Sequence, residues 1–239
     1  MLLGKLTWSE VSDMVNNVDF VIVPIGSTEQ HGKHLPLDND AYTALEISKL
    51  VAEKLKEKLK ILIAPLIPYG MSEHHMDFPG TITLRVETLI NVIEDICISL
   101  SRHGFKRILI LNGHGGNTAA IRVAVQELNL KYGLNVYALN WWDLVSDIFK
   151  SIYNTPITHA DEGETAVAYA LNQRVVKDFM EGSGNYGEET ILYTSKRMKE
   201  YTSTGSMGHP EKALKEHGEA IVNSVVNRLA DELLKLSKQ

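Results

Sequence analysis

Residues 20–25, FVIVPI, run without a break into residues 26–40, GSTEQHGKHLPLDND, and the junction between them decides how the whole chain is read. A short, continuous apolar run dominated by β-branched residues reads as a buried strand. The polar stretch behind it carries Glu29, His31, His34, Asp38 and Asp40, spaced by Gly26, Gly32 and Pro36. Oxygen and imidazole donors therefore sit on a backbone free to turn sharply, and such a loop suits a metal ion. Glu29 and His31 are two apart, so in an extended segment they leave the same face and converge. Asp40 closes the cluster if the loop doubles back at Gly32 and Pro36. The plainer alternative is a polar turn in which Asp38 or Asn39 caps the following helix.

Working outward, the same alternation recurs. Apolar strands are expected at 61–66, 107–111 and 135–139, with amphipathic helices at 40–60 and 86–103 and another ending near Gly133. A capping box at Thr7 and Glu10 opens a short first helix, and a last helix is expected over 209–236 with Pro210 in its first turn. Segment 181–206, rich in Gly, Ser and Thr, reads as loops and short strands. This order predicts an α/β fold with a mostly parallel sheet covered by helices on both faces. One domain spanning 1–239 is the natural count for that length.

Ligands of such sheets bind beyond the carboxyl ends of the strands. Three unusual segments follow strands: the Glu29 loop, the long connection 67–85 with Glu73, His74 and His75, and NGHGGN at 112–117 with His114. They are expected on one edge. The glycine-rich turn could present backbone N–H groups to an anion, but it lacks a P-loop lysine and the spacing of a dinucleotide fingerprint. The fourth strand delivers Trp141 and Trp142, an aromatic wall for a planar ring or simply core packing. In THADEGETAVAYAL, Asp161 and Glu162 suit the positive end of a helix dipole, while His159 and Glu164, five apart, can aim at one point.

Composition removes several classes. The net charge of −6, from 24 Lys and Arg against 30 Asp and Glu, comes with no basic cluster, which argues against nucleic acid. No run is long enough to span a bilayer. The single cysteine, Cys97, falls in the apolar phase of a helix and reads as core. The first ten residues lack a signal peptide's apolar core, so a cytoplasmic location is expected.

EQHGKHLPLDND, EHHMDFPGT, NGHGGN and HADEGET, in this order, resemble the signature segments of the creatininase family, and TGSMGHPEKA resembles its late glycine-proline segment. The similarity spans nearly the whole chain. It implies a three-layer αβα sandwich, two divalent metal ions per protomer (zinc, manganese or iron), a small-molecule substrate and a homohexamer. By matching segments, Glu29, His31, Asp40, His114 and Glu164 are the implied metal ligands, with Asp40 bridging, and His159 is the implied proton shuttle. Glu73, His75, Trp141 and Trp142 are expected to meet substrate, and His34 to lie nearby. One departure stands out: the creatinine-hydrolysing member has a glutamate at the place of Gly116.

The implied activity is hydrolysis of a non-peptide C–N bond in a small cyclic amide or formamide, by a hydroxide generated between the ions. Creatinine ring opening and deformylation of a formamidopyrimidine nucleotide compete as the particular reaction. A non-catalytic protein that binds a small ligand is the rival from another class, and a single-metal hydrolase is a third reading.

Overall fold

A computed structural model of the protein describes residues 1–183 and 194–239. Four strands, β1 (Phe20–Ile25), β2 (Ile61–Ile63), β3 (Ile108–Asn112) and β4 (Val136–Asn140), form one parallel sheet in the order β2-β1-β3-β4. Helix α1 (Trp8–Met14) precedes the first strand, and α2 (Asn39–Leu55), α3 (Val86–Arg102) and α4 (Thr118–Lys131) run between the strands. The chain continues through α5 (Ser146–Tyr153), α6 (Glu162–Ala170), the single turn α7 (Met198–Tyr201) and α8 (Lys215–Leu236).

The alternation along β1 explains the layers. Phe20 and Ile22 point into a core shared with α2, α5, α6 and α8, whereas Val21, Val23 and Ile25 point into a second core shared with α3 and α4. All six residues of β1 are buried, as a strand covered on both faces must be. The result is the expected αβα sandwich. Cys97 is fully buried in the second core.

Strand order places the site. From β1 the chain steps outward to β2, then returns to β3 on the other side and steps outward to β4. The reversal falls between β1 and β3, where the loops leaving their carboxyl ends part in opposite directions and open a crevice. The Glu29 loop leaves β1 and the His114 turn leaves β3. A Cβ on Gly113 would strike the Asp40 carbonyl, and one on Gly26 would strike the backbone of Ala41. These two glycines let the start of α2, with Asp40 on it, lie directly across the ends of both strands.

Several boundaries differ from the sequence reading. Helix α2 ends at Leu55, so Lys58 and Lys60 lie in the turn beyond it, and β2 is only three residues long. Asp38 occupies the cap position of α2, but no side-chain cap bond forms there. The last helix begins at Lys215, not at His209: Pro210–Lys212 make a separate 3-10 turn, with His209 held by Glu162. The capping box of α1 is present, with Glu10 N–H donating to Thr7 Oγ1. The expectation of loops and short strands over 181–206 falls partly on 184–193, outside the described residues; the described part contains only α7 as regular structure.

Candidate metal centre

At the β1/β3 crevice the structure gathers Glu29, His31, Asp40, His75, His114, His159 and Glu164, all buried. Asp40 stands in the middle. Its Oδ1 lies 2.8 Å from His31 Nε2, and its Oδ2 lies 3.0 Å from His114 Nδ1. Glu29 reaches His114 Nε2 through Oε2 and His75 Nε2 through Oε1, each at 3.2 Å. Glu164 Oε2 is 3.8 Å from His31 Nε2, and His159 Nδ1 is 3.8 Å from Glu29 Oε1. Three triads, Glu29/His31/His159, Glu29/Asp40/His114 and His31/Asp40/Glu164, each bring their donor atoms within 4.8 Å of one another.

Two observations test whether this set fits a metal. Both oxygens of Glu29 and Oδ2 of Asp40 are buried with no aligned hydrogen-bond donor among the described residues, a costly state for a carboxylate unless a cation completes it. The imidazoles show the complementary half. His31 Nδ1 donates to the Glu29 carbonyl (3.1 Å), His114 Nε2 to the Met71 carbonyl (3.0 Å) and His159 Nε2 to the Gln30 carbonyl (2.9 Å). A carbonyl only accepts, so each bond fixes the tautomer and turns the other ring nitrogen toward the carboxylates, the usual arrangement around metal-binding histidines. The residues fit a divalent ion of the kind held by mixed nitrogen and oxygen donors.

Gln30 carried no sequence signal, yet it organises this arrangement. Its side-chain oxygen accepts from Gly32 N–H (3.0 Å), and its amide donates to the Gly205 carbonyl (3.0 Å) and to His75 Nδ1 (2.7 Å). His75 therefore carries its hydrogen on Nε2, facing Glu29, the same tautomer as His114 and His159 and the opposite of His31. The sequence reading put His75 with the substrate contacts, whereas the structure puts it against Glu29.

The HADEGET segment works through one strained residue. Ala160 is fully buried with φ of 48°, a left-handed conformation that costs a non-glycine residue about 1–2 kcal/mol. Its N–H donates to Glu164 Oε2 (2.6 Å) and its carbonyl accepts from Ser206 Oγ (2.7 Å). The kink aims His159 and Glu164 at the same cluster. Asp161 caps α6, and Glu162 accepts from Thr155 and His209, so both are structural, as read from the sequence.

Electrostatics follow from burial and proximity. Burial would raise the Glu29 carboxyl, but His114, His75 and His31 outweigh it and hold it well below its ordinary range. Burial would lower His31, yet Asp40, with Glu164 and Glu29, carries it up to about 10. His114 is likewise raised, by Glu29 and Asp40 against burial. Burial pushes Glu164 up to about 8 and His75 down to about 3, and with the help of His31 and His75 it drives His159 well below its ordinary value.

The remaining predicted residues separate. Trp142 lines the cavity of about 300 Å³ over the cluster, while Trp141 is buried in the core against Phe149. Glu73 is exposed and lines a larger neighbouring cavity, not the cluster. His34 is buried beside the site, its Nε2 bonded to Thr165 Oγ1 at 2.9 Å.

The fold and the cluster define a class: an α/β protein with a carboxylate and imidazole centre at the topological switch of its sheet. Comparison with known proteins then names the family. The sequence model of the creatininase family, described as creatinine amidohydrolase, matches residues 4–233, and the chain belongs to this family of amidohydrolases. Mycofactocin precursor peptide peptidase of Mycobacterium ulcerans is 31% identical over 241 residues, covering 96% of this chain and 92% of that one. Creatinine amidohydrolase of Pseudomonas putida is 31% identical over 190 residues, 72% of each. A 2-amino-5-formylamino-6-ribosylaminopyrimidin-4(3H)-one 5'-monophosphate deformylase of Methanococcus maripaludis is 29% identical, covering 63% of this chain and 58% of its own. Among solved structures, a manganese creatininase superposes with a TM-score of 0.85 at 26% identity, covering 98% of this chain and 97% of that one.

Proposed function

We infer that the protein hydrolyses a C–N bond in a small cyclic amide or formamide group, with two divalent ions of zinc, manganese or iron held by Glu29, His31, Asp40, His114 and Glu164. The observation that carries this reading is the position of Asp40, whose two oxygens face different partners, His31 with Glu164 on one side and His114 with Glu29 on the other. A carboxylate so placed is suited to bridge two ions. Ions in such a site polarise a carbonyl and make water nucleophilic near neutral pH.

The chain's own residues supply the rest. His159 presents its Nδ1 lone pair toward Glu29 while Nε2 is committed to the Gln30 carbonyl, and burial keeps the ring neutral. It takes a proton at Nδ1 and returns it to the leaving nitrogen. Trp142 and Ile157 form the apolar side of the small cavity, against which a planar ring packs.

Deformylation of a formamidopyrimidine is the reading favoured over creatinine hydrolysis by one feature, Gly116. A Cβ there would strike the Met71 carbonyl and His114 Nε2, so the glutamate of the creatinine-hydrolysing member has no room in this backbone. A homohexamer, expected from the family resemblance, is checked by light scattering.

The test is metal content per protomer by elemental analysis, wild type beside Asp40→Ala, with hydrolysis of creatinine and of N-formyl aminopyrimidines assayed on the same samples. Near two ions in the wild type, lost in the variant together with hydrolysis, is expected. One ion overturns the bridged centre, and none after adding zinc or manganese overturns the hydrolase.

A further inference from the structure

We propose that the substrate is a chain-bearing amide, with a small head over the metal centre and a substituent that passes Gly116 into a second, larger cavity. This rests on the amidohydrolase reading and goes further by fixing the shape of what is hydrolysed.

The centre sits in a cavity of about 300 Å³, at the low end for ligand sites. Beside it lies another of about 1050 Å³, lined from three stretches, residues 71–74, 83–87 and 194–201, together with Gly116. His74 and Gly116 line both, so the two cavities meet at these residues. A ring the size of the inner cavity leaves the outer one unused.

Gly116 lets the Met71 loop and the His114 ring close tightly on the backbone at the junction, so that one side of the passage is fixed. The two atoms that a Cβ at this position would strike are both fixed. The Met71 carbonyl accepts from His114 Nε2 at 3.0 Å, and Met71 N–H donates to Asn117 Oδ1 at 2.9 Å. Neither the loop nor the imidazole can step aside without disturbing the centre. Gly115, by contrast, has nothing within 4 Å of a Cβ position, so only the second glycine of the pair is demanded by close approach.

The outer wall indicates the kind of chain. Apolar Met71, Leu84 and Val86 alternate with charges of both signs, Arg85 and Lys196 against Glu87 and Glu200. A surface so mixed does not select a polyanion. It suits a flexible substituent with apolar groups and amides along it, peptide-like in character.

Three hydroxamates test this on the metal-loaded protein: acetohydroxamate as the head alone, octanohydroxamate with an apolar chain, and acetyl-trialanine hydroxamate with a peptide-like one. Affinity is measured by calorimetry while the ¹³C-methyl signals of Met71, Leu84 and Met198 are followed by NMR. Both long probes are expected to bind at least about tenfold tighter than acetohydroxamate, the trialanine probe tightest, from the extra surface they bury. Only they should shift the outer methyls. Val86→Trp, which fills the outer cavity from an exposed position, should remove the gain and leave acetohydroxamate unchanged. Equal affinities, or outer methyls that no probe moves, overturn the proposal. Metal content of the same samples reports separately on the hydrolase reading, because the methyl shifts register chain entry whether or not the head finds a metal.

Discussion

Glu29 and Asp161 are buried to the same degree, yet the chain treats them in opposite ways. Asp161 Oδ1 accepts from the backbone N–H groups of Gly163 and Glu164, both at 2.9 Å, and Oδ2 accepts from Thr158 N–H at 2.6 Å and its hydroxyl at 2.9 Å. Neither oxygen of Glu29 has an aligned donor among the described residues. A satisfied carboxylate holds structure together, while one buried among imidazoles with no aligned donor suits a cation. Burial alone does not separate the two roles; the direction of the neighbouring hydrogens does.

The contrast is broken or sharpened by substitution at each carboxylate. The largest effect is expected from Glu29→Gln, which should abolish metal binding and hydrolysis. It should also erase the rise in Tm expected on adding metal to the wild type, worth about 2.7 kcal/mol when metal is at a hundred times its Kd. Retention of that rise would show that Glu29 holds no metal. Asp161→Ala should do the reverse, lowering metal-free and metal-loaded Tm by similar amounts, about 1–3 kcal/mol in stability, with metal content kept. Loss of metal in this variant would remove the distinction.

Gln30→Leu comes next. It leaves His75 without the amide that sets its tautomer, while His159 keeps the Gln30 backbone carbonyl, and a loss of about 10–100-fold in metal affinity or activity is expected, as for groups that support a metal site from behind. The ¹⁵N shifts of the His75 ring should move toward mixed tautomers. Unchanged shifts would assign the tautomer to the surrounding packing instead.

The smallest effect is the pH dependence of the metal-free protein. His75 at about 3, His34 at about 4 and the lowered His159 have folded-state values depressed by burial, so their stabilisation is present above 6.5 and is lost as pH falls. His31 at about 10 and the raised His114 are stabilising below 6.5 and lose this as pH rises; Glu164, raised to about 8, adds to that loss and partly offsets the acid limb. Thermal melts in chelator should therefore peak near pH 6.5. A monotonic profile would mean that this cluster does not govern the balance.

Much of this was legible in the residues. FVIVPI and the strand at 107–111 were readable because continuous apolar runs between polar loops have few other uses. The strand order then brought Glu29, Asp40 and His114 together without further information. What stayed hidden depended on direction. Gln30 lies between two more conspicuous donors, and a neutral amide gives no hint of how many imidazoles it touches. Trp141 and Trp142 are adjacent, and only the 3-10 turn at Trp141–Leu144 decides that the first enters the core and the second faces the cavity. The start of the last helix was misplaced because Pro210 suits any helical first turn, and the grip of Glu162 on His209 is a contact across 47 residues.

That Gln30 closes onto the carbonyl of Gly205 has a consequence for the order of events during synthesis. The two residues are 175 positions apart, so Glu29, His31 and Asp40 leave the ribosome long before their organiser has its anchor. The late stretch that brings Gly205 also brings α8, the cover for one face of the sheet. Completion of the core and completion of the centre thus become a single late event. On the proposed metal reading, a cation captured by the emerging chain would meet loose donors, and the choice of ion would fall to the finished fold.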